Sequence, residues 1–193
     1  MRDSFSVLLY NGLRGGWIMK RVHYYAGMLL SAEDLRAEQD YQREKRRLHN
    51  SCLHGYGVVC GLEVSIWKGS LRVSPGVALT CTGDEIVVGN RIEVPFPETK
   101  SSTYLTIRFE ERLTDAVPVP GSDKVEYSRV EETFELAFQP HDPCHAHTHA
   151  KSHALACGKS HAMPIARLVH GREGWRIDRE FHPPRMGPSS IRS

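Results

Sequence analysis

The stretch Leu53-His-Gly-Tyr-Gly-Val-Val-Cys-Gly-Leu-Glu-Val64 separates two kinds of pattern in this chain. Before it, charged residues recur at helical spacing. After it, apolar residues alternate with period two and turn residues recur every few positions. Gly55, Gly57 and Gly61 supply the backbone freedom that a helix-to-sheet corner needs. Val58, Val59, Leu62 and Val64 are expected to form the first buried strand, running from Val58 to Ile66. The glycines are expected to set the angle between a helical arm and a β module.

The segment upstream reads as one long polar helix over residues 31–53. Ser31 and Asp34 form a variant of the capping box, with Asp in place of the usual Glu or Gln. Glu33, Asp34 and Glu38 lie near the start, and Arg43, Lys45, Arg46 and Arg47 near the end. That order complements the helix dipole. Spacing predicts an Arg36–Asp40 pair and a Glu44–Arg47 pair. The apolar seam is thin, consisting of Ala37, Tyr41, Leu48 and Cys52. A helix this polar is not a core element, so it lies on the sheet by that seam or packs on another subunit.

Downstream, Trp67-Lys-Gly-Ser70 predicts a hairpin turn leading into Leu71–Val73. Ser74-Pro-Gly76, Thr82-Gly-Asp84 and Gly89-Asn90 punctuate three further short strands. Tyr104–Glu110 alternates, with Leu105, Ile107 and Phe109 on one face. Val117-Pro-Val-Pro-Gly121 reads as a loop, and Val125–Phe138 alternates again. Pro164–His170, a turn at Gly171-Arg-Glu-Gly174, and Trp175–Ile177 read as a closing hairpin. The expected fold is mainly β, a small antiparallel sandwich or barrel with one long polar N-terminal helix, and α+β overall.

This divides the chain into an extension (1–18), an arm and helix (19–55), a β module (56–140), a His/Cys-rich loop (141–162), the closing hairpin (163–181) and a flexible tail (182–193). For the extension there are two readings. It is a flexible arm, or it is untranslated in the native protein and the natural start is Met19. The second rests on Arg14-Gly-Gly-Trp17, whose codons can carry a purine-rich ribosome-binding sequence.

The 193 residues are 40% hydrophobic and 25% charged, as in an ordered globular protein. A net charge of +2 gives no electrostatic case for nucleic acid. No apolar run reaches the roughly 20 residues of a membrane span. Five cysteines form no disulfide framework, which points to a reducing compartment. The expected location is the cytoplasm, or a particle released from it.

Of 11 histidines, six fall between His141 and His161, where Cys144 and Cys157 also lie. Imidazole and thiolate suit zinc. Cys144-x-x-His147 and Cys157-x-x-x-His161 resemble two knuckles of a structural zinc site, with His141 or His153 as substitutes. A metal clip would offset the ordering entropy of such a loop. A catalytic zinc would make the chain a zinc-dependent hydrolase, but no carboxylate is evidently placed as its general base. Asp84 with Glu85, and Glu110 with Glu111, read as turn chemistry and solvated strand ends. Trp67 and Trp175 would serve a carbohydrate-binding module if exposed, although buried tryptophan is the commoner case.

Several segments together resemble a group of small proteins encoded beside phage-like contractile injection systems and phage tails. They are Tyr25-Ala-Gly-Met-Leu-Leu-Ser-Ala-Glu-Asp-Leu35, Glu38-Gln-Asp-Tyr41, Arg46-Arg-Leu-His-Asn50 and His54-Gly-Tyr-Gly-Val-Val-Cys-Gly-Leu-Glu-Val64. Val73-Ser-Pro-Gly-Val-Ala-Leu79 with Gly83-Asp-Glu-Ile-Val-Val88 resembles a β module of tail-fibre and baseplate proteins, and Pro164-Ile-Ala-Arg-Leu168 its closing strand. The resemblance covers residues 20–95 well and 160–180 loosely. It implies a structural or attachment role, without catalytic residues. The expected partners are other subunits of a protein assembly and copies of the chain itself.

Overall fold

The computed structural model describes residues 19–143 and 161–186. Contacts divide the chain into two units, 1–44 and 45–193. Among the described residues most of the secondary structure is strand, and every pairing between strands is antiparallel, with one isolated parallel bridge, Val58 to Arg185.

The first unit holds most of helix α1, Ala32–His49. Its start is built as the sequence predicts. The Ser31 amide donates to Asp34 Oδ2 at 3.0 Å, and the Asp34 amide donates to Ser31 Oγ at 3.2 Å. The Ser31 amide bond, and after it the bond that Ser31 Oγ donates to Asp34 Oδ2 at 2.9 Å, lower the Asp34 pKa below 3.8. The surface pairs differ from expectation. Arg36 meets Glu33 at 3.6 Å and Asp40 meets Arg43 at 3.0 Å, both at i,i+3 spacing. No residue of α1 is buried, and Ala37 and Cys52 of the expected seam are exposed.

The second unit begins where α1 ends. The helix does not run on to residue 53 in α form. A single π-helical turn, Asn50–His54, closes it, and Gly55 leaves with a φ of 79°. Ten strands follow. The first four are β1 Gly57–Gly61, β2 Val64–Trp67, β3 Ser70–Val73 and β4 Gly76–Leu79. Then come β5 Glu85–Val88, β6 Ile92–Val94, β7 Thr103–Pro118, β8 Val125–Gln139, β9 Met163–Gly171 and β10 Gly174–Ile177. They make three sheets, in the orders β1-β4-β5, β2-β3-β6 and β10-β9-β7-β8.

The expected strand Val58–Ile66 is two strands in two different sheets. Gly61 and Leu62 carry φ values of 61° and 54°, and the chain turns a corner between them. The return path turns beside it, from Val73 of β3 through Ser74-Pro75 into Gly76 of β4. The corners are bound together: Leu62 N donates to Pro75 O at 3.3 Å, and Ser74 N to Glu63 O at 2.9 Å. A Cβ on Gly61 would lie 1.9 Å from Pro75 O, and one on Gly76 would lie 2.4 Å from Cys60 O. Glycine is required at both positions because backbone meets backbone there. Gly61 therefore serves the sheet-to-sheet crossing, not the helix angle. Val59 points outward and is 47% exposed, because a bulge between Val58 and Cys60 shifts the alternation.

The core draws on all three sheets. Leu71 and Val73 of β3, Ile86 of β5, Leu105 and Ile107 of β7 and Leu168 of β9 are at most 1% exposed. The predicted Lys68-Gly69 turn joins β2 to β3, both residues having positive φ as a tight two-residue hairpin requires. Beyond the closing hairpin the chain is held as far as Met186. Val58 N donates to Pro184 O at 2.8 Å and Met186 N to Val58 O at 2.9 Å, so the flexible tail expected from residue 182 is pinned to β1 through Met186.

Candidate functional site

Three features carry chemistry that the core does not use. The first is where the end of the helix meets the β4–β5 turn. Arg47 Nε donates to Asp84 Oδ1 at 2.5 Å, the two side chains being 29% and 12% exposed. Buried Asn50 reaches the same turn, its Nδ2 donating to Gly83 O at 2.9 Å and to Glu85 Oε1 at 3.1 Å. Thr82 Oγ1 donates to Asp84 Oδ2 at 2.6 Å, and the Asp84 amide donates to Thr80 Oγ1 at 3.0 Å. Gly83 has a φ of 88°, and a Cβ there would meet Arg47 O at 2.2 Å. Asp84 and Glu85 thus do more than shape a turn. They clamp the last helical turn, and Arg47 serves Asp84 rather than the Glu44 that spacing suggested. The clamp is a structural device that ties the end of the helix to the β4–β5 turn.

The second feature is the Cys/His group. Cys144, His147, His153 and Cys157 lie outside the described residues. His141 is exposed, and His161 is half-buried. His161 Nδ1 lies 3.1 Å from Sγ of buried Cys81. Cys81 stands outside the sequence-predicted group, 80 residues from its partner, and no local spacing signals the pair. Among the described residues no group of three or more His, Cys, Asp or Glu is arranged to hold a metal ion.

The third feature is a set of exposed apolar side chains in each unit. In the first unit Tyr25 is 66% exposed and Leu29 92%, with Tyr24, Leu30 and Leu35 also open. In the second unit the β7–β8 hairpin runs far past the core. β7 has 16 residues and β8 has 15, against a usual five or six. β9 pairs with β7 only over Thr103–Ile107, so from Glu110 outward the hairpin is a two-stranded ribbon about 25 Å long. Leu113, Tyr127, Val125 and Val130 stand exposed on it. Alternation in the sequence predicts a strand only as far as Glu110. The cross-strand partners that extend it, Glu111↔Glu132 through Pro118↔Val125, are visible only once the strands pair.

The tryptophans differ. Trp175 is half-buried, stacked on Phe96 with centroids 6.0 Å apart. Trp67 is 47% exposed, with the Arg72 guanidinium over its ring at 4.7 Å. No described helix is long and apolar enough to cross a membrane.

No family model matches this sequence, and no curated protein does. Solved structures do. A chain of the type VI secretion system TssK-TssF-TssG baseplate subcomplex aligns with a TM-score of 0.53 at 14% identity, covering 90% of this chain and 64% of that one. A chain of the baseplate complex from the type VI secretion system aligns at 0.50 and 13%, covering 87% and 60%. The crystal structure of TssK aligns at 0.53 and 11%, covering 87% and 42%. The chain therefore spans less than two thirds of the length of each, and at these identities the likeness is one of fold.

Proposed function

We propose that this chain is a non-enzymatic structural subunit of a phage-tail-like contractile particle, acting at or near its baseplate through docking surfaces. The observation that carries this reading is the fold shared, over nearly the whole of this chain, with chains from type VI secretion baseplates. The helix–glycine–strand signature, which resembles proteins encoded beside such systems, supports it independently. So do the exposed arm and ribbon, which supply two apolar surfaces suited to neighbouring subunits. The subunit would join its particle in the cytoplasm.

Particles sedimented from native cells test the reading. The chain should travel with sheath and baseplate proteins, and deleting its gene should abolish assembled sheath. A chain found only in the slow-sedimenting fraction, with sheath assembly intact in the deletion, would overturn it.

We also propose a structural zinc in the His/Cys-rich segment, drawing on Cys144, His147, Cys157 and His161, with His141 or His153 as substitutes. Support comes from the residue types and from Cys81, which sets a thiol beside His161. Metal analysis of untagged protein should find zinc near one equivalent, falling in a Cys144→Ser, Cys157→Ser variant. Metal-free protein of unchanged stability would exclude it.

A further inference from the structure

We propose that the outer edge of β8 is a self-complementary strand that pairs antiparallel with β8 of a second copy, in the register that sets Val130 opposite Val130. The proposal concerns the ribbon alone and stands whether or not the chain belongs to a contractile particle.

The edge is open. β8 is the terminal strand of its sheet, and all eight residues from Val125 to Glu132 are exposed. Such an edge offers unpaired backbone donors and acceptors, and folded proteins usually blunt it with Pro, Lys, a bulge or a kink. The two edges of this ribbon are treated differently. β7 carries Pro118 and, at Asp115, a φ of 56°. Along Val125–Gln139 there is no Pro, Gly or Lys and no positive φ. One edge is blunted and the other is left fit for pairing.

The side chains choose the partner. Residues directly opposite in an antiparallel pair lie on the same face, and faces alternate along a strand. A strand paired with its own copy can therefore shift only in steps that keep like parity opposite. With Val130 on Val130, Arg129 faces Glu131 of the second copy, and by symmetry this occurs twice. Ser128 then faces Glu132, and Tyr127 faces Thr133. No like charges are opposed. Centring on Arg129 instead opposes Arg129 to itself and Glu126 to Glu132. Centring on Glu131 or Glu132 opposes carboxylates. Centring on Ser128 makes no ion pair within β8 and sets Val130 opposite Glu126.

The rest of the ribbon fits this register. Leu113 is the β7 partner of Val130. Pairing would line up Leu113, Val130, Val130 and Leu113 across one face, covering side chains that are 62% and 55% exposed in the single chain. On the other face Glu131 would sit between Arg112, its β7 partner, and Arg129 of the second copy. Arg129 Nη1 now donates to Ser128 O at 2.8 Å and would exchange that bond for the carboxylate. Cross-strand pairs of these kinds are each favourable, and the backbone bonds between the two edges add to them.

Charge exchange tests the register. Sedimentation velocity of the full chain at about 0.1 mM, which saturates a micromolar association, should show a dimer. Arg129→Glu and Glu131→Arg each oppose like charges twice, and each should weaken the dimer at least about tenfold. Circular dichroism should be unchanged, since both residues are exposed. An equimolar mixture of the two variants restores every ion pair and should dimerise, as should the double variant R129E/E131R. A monomeric wild type overturns the proposal. So does a wild-type dimer that survives either single exchange, or a mixture that stays monomeric.

Discussion

Gly61→Ala is expected to be among the most damaging small substitutions in this protein, and Gly69→Ala supplies its internal control. Both glycines have positive φ, 61° and 81°. An alanine in that region costs about 1 kcal/mol at either site. The surroundings then separate them. Nothing lies within 4 Å of a Cβ on Gly69, whereas one on Gly61 would be 1.9 Å from Pro75 O. Relieving that overlap requires the crossing segments to part by more than 1 Å, a distance of order one hydrogen-bond range. The Leu62 N to Pro75 O and Ser74 N to Glu63 O bonds would then stretch or break, at about 1 kcal/mol each. Leu62 and Val73, 3% and 0% exposed, flank the crossing and would lose packing. The sum for Gly61→Ala is about 3–5 kcal/mol, against about 1 kcal/mol for Gly69→Ala. For a unit of this size that separates the two melting temperatures by about 10 °C. Urea unfolding of both variants, followed by tryptophan fluorescence, measures the difference. Stabilities equal within about 0.5 kcal/mol would refute the claim that backbone contact between the two corners fixes the sheet crossing.

Other substitutions probe separate joints. Asp84→Ala should cost about 2 kcal/mol, because it leaves partly buried Arg47 and the Thr82 hydroxyl without their acceptor. A double-mutant cycle with Arg47→Met should show a coupling of about 1 kcal/mol, and additivity would mean the clamp is not cooperative. Gly57→Val combines a φ of 136° with a Cβ placed 2.8 Å from Pro184 O. It should release Pro184–Met186 from β1, seen as faster tryptic cleavage after Arg185, while unchanged cleavage would show that the segment is held by other means. The Asp34 pKa is lowered in the folded chain, so its contribution is complete above 3.8 and is lost as pH falls through the lower folded value. The Ser31 and Asp34 amide shifts should hold steady down to about pH 5 and move only in stronger acid, whereas Asp34→Asn should remove that titration. A midpoint at or above 3.8 would contradict the capping geometry.

The features legible in the sequence were those whose partners lie within a few residues. The Ser31/Asp34 cap, the Lys68-Gly69 turn, the alternation of Leu105 with Ile107 and the closing hairpin all follow from local rules of spacing and φ. Together they determined a mainly antiparallel β fold with one polar helix. Tertiary structure decided where distant segments touch. Arg47 could pair with Glu44 by helical spacing, but the β4–β5 turn brings Asp84, 37 residues away, whose 12% exposure screens the pair less. Cys81 beside His161 has no local signature because 80 residues separate them. The length of the β7–β8 ribbon was hidden because Glu110–Pro118 lacks clean alternation, and its strand state depends on the opposite strand.

The same division runs through Leu53–Val64. Its glycines announced a change of direction, and the sequence determined that much, since only glycine relieves the steric cost of positive φ without a side chain. Which direction each one serves was decided by what lies against it. Gly57 makes room for the backbone of Pro184, and Gly61 for that of Pro75. A missing Cβ shows that something approaches closely, and only the folded chain shows what.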